Sequence, residues 1–489
     1  MTKLKKFIRF ITNPKLLLCL GLAWLITNGW AYITLAISTY FKIKWLMALS
    51  SGYLAFLWIP ISPEKIVTVG IAMLLLRLLF PNDQKTLAVI KEMYAKAKDK
   101  FRVYMNKHFP NLKGRKKVFN KHDISRNACQ LYGAQARCGY DWWWHSFTAR
   151  NAKTGEEKPF FIEYFLCNPA SGSCAPVFGQ LKENQKNDIK PSYLMVKAGT
   201  WGEDASQLHR FFGWNNIDVS FGIPFSVKAD DCYCTETEMC GHVKIEDTES
   251  HPEWMCQNGE TYWNLKIDKK VAFNVGYGAG KLFRKMQLFE MFWHAEGMKT
   301  AYEGEIFWNG EKYIVTPETC YGYSDKNWGK DFTSPWVWLS SNNLTSKITG
   351  KKLTDSVFDI GGGCPKVGPI ALKRKLLSAY WYEGKCYEFN FSKFWTFTRT
   401  KFDCKETNTQ IIWHVEQKTW RNRMVTDITC EKKDMLLVNY EAPNGKKLHN
   451  RLWNGGNGKG TVKLYRGKKL IDEVICENVG CEYGEYDNR

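Results

Sequence analysis

From Leu16 to Phe41 the chain carries no charged residue. As a helix this run extends roughly 39 Å, more than the ~30 Å hydrocarbon layer of a bilayer, so it can cross a membrane with some tilt. A second uncharged stretch, Trp45 to Ser62, reaches roughly 27 Å and closes at Pro60 and Pro63. A third apolar run, Ile66 to Phe80, is shorter and contains Arg77, which suits an interfacial or re-entrant helix as well as a crossing. The expectation is an α-helical transmembrane hairpin.

Lys and Arg mark the cytoplasmic side of such a hairpin. Lys3, Lys5, Lys6, Arg9 and Lys15 precede the first run, whereas only Lys42 and Lys44 follow it. After Phe80 come Lys85, Lys91, Lys96, Lys98, Lys100 and Arg102 among helix-forming residues, then Lys113, Arg115, Lys116 and Lys117. This predicts a multi-pass protein of the cell membrane with its large C-terminal part on the cytoplasmic side. The formal net charge of +20 would attract nucleic acid or anionic lipid alike. Much of that charge lies beside the bilayer, where each cation contributes about 1 kcal/mol near anionic lipid. The membrane therefore accounts for the basicity, and no nucleic-acid partner is expected.

Beyond about Asn120 helical periodicity fades into short aromatic and β-branched runs separated by Gly, Asn, Asp and Pro. The 21 Trp residues and an aromatic content of 15% suit β structure and apolar pockets. Asn309-Gly310, Glu383-Gly384, Asn444-Gly445 and Arg466-Gly467 each sit between such runs and predict hairpins. The fold expected is mainly β: an antiparallel lipocalin-like barrel or paired β-barrel halves, because an open meander leaves its edges exposed. The chain then divides into a membrane anchor (1–82), a basic juxtamembrane helix or linker (83–119), a first β half (120–275) and a second β half (276–489). The boundary between halves is expected near Lys270 to Lys281. The Gly361-Gly362-Gly363 run and the Asn454-to-Lys459 stretch are expected as loops, since neither carries the context of a phosphate cradle.

The 16 Cys are scattered and are expected as reduced thiols. Cys232, Cys234, Cys240, His242 and Cys256 offer soft ligands, but their spacing matches no physical zinc pattern and no metal is assigned.

The densest chemistry lies in Tyr321-Gly-Tyr-Ser-Asp-Lys-Asn-Trp-Gly329, followed by Phe332 and Trp336-Val-Trp338-Leu-Ser-Ser-Asn342. An acid, a base, an amide and several rings converge within two strands. This resembles the signature of the tocopherol cyclase-like family, in which an acidic residue precedes Lys-Asn-Trp-Gly and a Trp-x-Trp strand follows. Weaker similarity covers Asp141-Trp-Trp-Trp-His-Ser-Phe147, Trp293-His-Ala-Glu-Gly297 and the stretch from Gly458 to Gly480. It spans roughly residues 130 to 485. Asp325 stands where plant-type members tend to have Glu, and Ser340 where they tend to have Gln.

The resemblance implies closure of a chromanol ring by a tocopherol cyclase-type intramolecular lyase of the isomerase class, acting on a prenylated hydroquinone or another isoprenoid lipid, with no cofactor. The physical demands can be stated separately. An acid must protonate the prenyl alkene, the tertiary cation must be kept from water, and an acceptor must take the phenolic proton. Aromatic faces stabilise such a cation by ~2 kcal/mol or more when desolvated. Asp325 is the candidate acid, with His294 and Glu296 as acceptor or sharers of its role and Asp359 as a reserve acid. Lys326, Asn327, Trp328, Trp336, Trp338 and Asn342 are the candidate substrate-binding residues. The rival readings are a lipocalin-like lipid carrier without turnover and an isoprenoid hydratase that captures the same cation with water.

Overall fold

The computed structural model describes residues 13–57, 63–108, 124–172, 174–273, 287, 289–364, 366–367, 370–371, 373–391, 393 and 396–487. The chain separates into two compact units, Met1–Lys116 and Lys117–Arg489.

The first unit is helical. Its leading helix, Pro14–Tyr40, starts where the Asn13 side chain accepts from the Leu16 N–H at 3.1 Å, satisfying a backbone donor that the first turn leaves open. One narrow stripe, Leu16, Cys19 and Ala23, packs against Val69, Ala72 and Leu76 of the helix Pro63–Leu79 and Leu87 and Ile90 of the helix Gln84–His108. Polar contacts reinforce it: the Asn28 amide donates to Glu64 Oε1 at 2.8 Å, and the Tyr53 hydroxyl to Asn28 Oδ1 at 2.9 Å. Further along, Asn28, Ala31 and Ser38 are also buried, but many apolar side chains of the leading helix are uncovered, with Leu25 58%, Ile26 61% and Ile33 62% exposed. Such a surface suits lipid, not water. Among the described residues this is the one helix long and apolar enough to cross a membrane. The expected second crossing is a 14-residue helix, Lys44–Leu57; the end of that uncharged stretch, 58–62, lies outside the described residues, as do most of the N-terminal cations and those at 113–117.

The second unit is mainly β, as expected, and holds two large antiparallel sheets. The first contains, among the described residues, twelve strands between Tyr140 and Gly329, and the second eleven between Trp336 and Asp487. The first sheet curls until the strand Ser206–Phe212 at one edge packs against Glu238–Ile245, enclosing a core of Trp143, Phe160, Tyr164, Trp263 and Tyr302. The second encloses its own core of Val337, Leu339, Phe358, Ile360 and Trp413. A third apolar layer, including Phe161, Phe165, Trp293, Trp336 and Trp338, lies where the two sheets face each other. All four expected hairpins form. Asn309-Gly310 and Glu383-Gly384 turn with both residues at positive φ (49° and 83°, 42° and 73°), the geometry that matches the twist of paired strands.

Two expectations change. The sheets hand over between Gly329 and Trp336, not near Lys270 to Lys281, and the Asp325 motif strand therefore lies in the first sheet. Residues 274–286 lie outside the described residues, and the strands before and after them are neighbours in the first sheet, with Phe273 opposite Ala295. The glycine runs are also not loops. Gly361 to Gly363 end the strand Val357–Gly363, and Asn454 to Lys459 lie within Leu448–Arg466. Glycine is required there by close approach: a Cβ on Gly361 would sit 2.8 Å from the Trp293 ring.

Candidate active site

The motif strand Gly322–Gly329 runs between Tyr140–Asn151 and Met291–Trp308. Residues directly opposite each other share a face of the sheet. Trp144 lies opposite Asp325, and Trp142 and Trp293 both lie opposite Asn327. Trp142, Trp144, Trp293, Tyr323 and Asp325 therefore look toward the second sheet. There Trp336 and Trp338 look back, while the alternating Val337 and Leu339 fill the second core. Tyr440 and Glu482 complete the lining of a small cavity, about 20 Å³ of free space, bounded by Trp142, Trp144, Tyr323, Asp325, Trp336, Trp338, Tyr440 and Glu482.

The two lining carboxyls are held differently. Asp325 Oδ2 accepts from Trp293 Nε1 at 2.8 Å and from the Tyr323 hydroxyl at 3.2 Å. Its Oδ1 receives no donor from the described residues. Burial, and next the negative Glu482, push Asp325 well above the usual carboxylate range against those two donors. That direction favours a proton on Asp325, which its free oxygen can carry. In Glu482 both oxygens have donors, Oε2 from Trp336 Nε1 at 2.7 Å and Oε1 from the Asn454 amide. Burial raises Glu482 to about 7, opposed by those donors. An acceptor-only pattern at both oxygens suits the ionised form. The pair consequently offers a donor and an acceptor at one cavity near neutral pH.

Behind this wall lies a buried polar layer. The Tyr440 hydroxyl donates to Glu163 Oε2 at 3.0 Å, Lys197 Nζ stands 3.3 Å from the same oxygen, and the ammonium lies 3.6 Å from the Tyr440 ring centroid. Asp359 Oδ1 accepts from Trp338 Nε1 at 3.0 Å, and Asp359 Oδ2 lies 3.3 Å from the Tyr323 hydroxyl.

Of the residues singled out from sequence, Asp325, Trp336 and Trp338 meet at this cavity. Lys326, Trp328 and His294 do not, because strand alternation turns them to the opposite face, where His294 lies across from Lys326. Lys326 forms a fully buried ion pair with Asp141, its ammonium 4.0 Å from the Trp143 ring centroid. Burial lifts Asp141 to about 6, with Lys326 opposing. Trp328 stacks on Phe292 at 5.5 Å, and His294 Nε2 lies 3.0 Å from Asn127 Oδ1. Glu296 is buried and paired with Lys269 at 2.8 Å. Asn327 shares the face of Asp325 but accepts from the Tyr140 hydroxyl at 2.9 Å, and Asn342 donates to the Gly322 carbonyl at 2.9 Å, holding the start of the motif strand.

Sequence reasoning missed Trp142, Trp144, Trp293, Tyr323, Tyr440 and Glu482. For the first four a signal existed: alternation assigns them to the face of Asp325 once strand pairing is known. Tyr440 and Glu482 come from distant strands with no local motif. Among the described residues no group of three or more His, Cys, Asp or Glu is arranged to hold a metal. All 16 Cys are free thiols. Cys234 Sγ lies 3.4 Å from His145 Nε2, whereas His242 pairs with Glu260 at 2.8 Å, so the soft ligands near Cys232 do not converge.

Fold and cavity together define a β protein of two facing antiparallel sheets that enclose carboxyl groups within an indole-lined hollow. The sequence profile described as tocopherol cyclase-like matches residues 232–485, and the chain belongs to that family. It is 34% identical over 105 residues to a chloroplastic protein of Oryza sativa subsp. japonica named probable tocopherol cyclase, covering 21% of this chain and 20% of that one. It is 32% identical over the same length to the chloroplastic tocopherol cyclase of Zea mays, with the same coverage. The chain thus spans about a fifth of the length of those relatives. Among solved structures, kievitone hydratase from Nectria haematococca aligns at 9% identity with a TM-score of 0.38, over 76% of this chain and 95% of that one.

Proposed function

We propose that the β unit is a tocopherol cyclase-type intramolecular cyclase that closes a chromanol ring on a prenylated hydroquinone. Asp325 gives its proton to the prenyl double bond, the phenolic oxygen adds to the tertiary cation, and Glu482 takes the phenolic proton. No atom is gained or lost. Trp142, Trp144, Trp336 and Trp338 keep water from the cation and turn ring faces toward it. The observation that carries this reading is the carboxyl of Asp325, raised by burial, anchored through one oxygen and free at the other, in a cavity of indoles. The free space between these side chains is about 20 Å³, room for about one water molecule, so the ring and its reacting prenyl unit enter only if the indoles move apart. The remaining tail must leave the cavity.

The substrate class favours a membrane location. In this proposal the helix Pro14–Tyr40 crosses the bilayer, and the lysines on either side of the helical unit put both the N-terminus and the β unit on the cytoplasmic face. That arrangement requires a return crossing and hence a multi-pass anchor. Lys44–Leu57, at roughly 21 Å, is short for it, and Glu64 holds the start of Pro63–Leu79 beside Asn28, midway along the leading helix. The return is therefore made by both in series, Lys44–Leu57 beside the second half, where Ser50 and Thr34 meet at 2.8 Å, and Pro63–Leu79 beside the first.

The test is incubation of the full-length protein in lipid vesicles with a prenylated hydroquinone, followed by mass spectrometry. Cyclisation leaves the mass unchanged while converting the chain to a chromanol; addition of one water identifies a hydratase instead. D325N should lower product formation by at least about 100-fold and leave lipid binding intact. Bound but unconverted lipid with the wild-type protein identifies a carrier.

A further inference from the structure

The Tyr323 hydroxyl stands between two buried carboxyls, 3.2 Å from Asp325 Oδ2 and 3.3 Å from Asp359 Oδ2. A hydroxyl has one proton and can donate to only one of them. The other contact is a hydrogen bond only when that carboxyl carries a proton of its own. Two ionised carboxylates joined through one hydroxyl in a water-poor layer would repel strongly. Asp359 is fully buried and does not line the cavity, and its far oxygen is fixed by Trp338 Nε1 at 3.0 Å. Burial, and next the neighbouring Asp325, raise Asp359 well above the usual carboxylate range, in keeping with a proton on Asp359 Oδ2 that the Tyr323 oxygen accepts.

We propose that Asp359 is a proton reserve for Asp325, connected to it through the Tyr323 hydroxyl. The proposal rests on the cyclase reading. Once Asp325 has protonated the alkene it is a carboxylate beside a tertiary cation, able to take the proton back or trap the cation as an ester. The Tyr323 O–H bond then breaks as its proton joins Asp325 Oδ2, while the Asp359 Oδ2 proton moves to the Tyr323 oxygen. Tyr323 is neutral before and after, and the negative charge moves from the cavity wall to Asp359. The cation is left facing a neutral acid, and the phenolic oxygen remains the nucleophile. The proton that Glu482 has collected returns to the pair through water entering as product leaves, so protons balance over the cycle. Asp359 acts through Tyr323 and never touches the substrate.

D359N is the informative variant, because its amide can donate to Tyr323 as the protonated acid does but cannot surrender a proton. On the full-length protein in vesicles, kcat should fall about 10- to 100-fold with KM within twofold of wild type. The proton inventory in mixed H2O and D2O should change from curved to linear. Y323F, which keeps the ring against Trp338, should show the same loss, and the double variant should be no slower than either single one. Wild-type kcat in D359N, or losses that multiply in the double variant, overturn the relay. Infrared difference spectra separate this from the cyclase reading. A protonated-carboxyl band present in wild type and absent in D359N supports the stored proton even if no turnover is found, whereas loss of a carboxylate band instead overturns it.

Discussion

Replacing Glu482 by Gln should make the protein more stable in a pH-dependent manner while slowing catalysis. Burial raises Glu482 from 4.5 to about 7 in the folded state. Below pH 4.5 it is protonated whether folded or not and costs nothing. As pH rises from there to about 7, the unfolded chain releases the proton while the folded one holds it, so stability falls. At about 1.36 kcal/mol per pKa unit this amounts to ~3 kcal/mol by pH 7 to 8. With about 2.1 cal/mol/K of unfolding entropy per residue across the β unit, that corresponds to a Tm change of about 4 °C. Gln cannot satisfy both the Trp336 and Asn454 donors, a constant penalty of about 1 kcal/mol, so the informative quantity is the change with pH. Thermal melts in detergent followed by near-ultraviolet circular dichroism should show the difference, variant minus wild type, rising by about 4 °C from pH 4.5 to pH 8. The same variant should lose about 100-fold or more in kcat with its proton acceptor gone. A Tm difference that stays constant across this range refutes the claim that burial raises Glu482 to about 7.

K326M should destabilise by ~3–5 kcal/mol, because Asp141 is left buried without its counter-charge; melting and urea titration check this, and lost turnover at unchanged stability would instead place Lys326 in the chemistry. G480A should displace the Trp338 ring, on which the added methyl would intrude, costing ~1–3 kcal/mol; the checks are Tm and a fall in kcat that W338F does not worsen. With E482Q and D325N these separate residues that hold the cavity's walls from those that handle protons.

Local chemistry made much of the architecture legible. The charge-free run around Leu25 could only be a buried or lipid-facing helix, and Asn309-Gly310 and Glu383-Gly384 formed the turns their backbone freedom favours. Where rings approach the backbone the same logic misled: Gly361 and Gly456 are strand residues, made small by Trp293 and Trp201 lying against them. A sequence shows that such positions are small but not which indole needs the space.

The motif itself marks the limit. Alternation along Gly322–Gly329 determined from sequence alone that Tyr323, Asp325 and Asn327 share one side and Ser324, Lys326 and Trp328 the other. Which side meets a second sheet was decided by tertiary packing, since a period of two distinguishes faces without saying what covers them. Packing sent Lys326, Trp328 and His294 to the face away from the cavity and brought Tyr440, Asp359 and Glu482 to the surroundings of Asp325 from strands far along the chain. It also created the chemistry, because a carboxyl becomes a usable acid at neutral pH only when its surroundings exclude water, and that exclusion belongs to the assembled sheets and to no segment of the sequence.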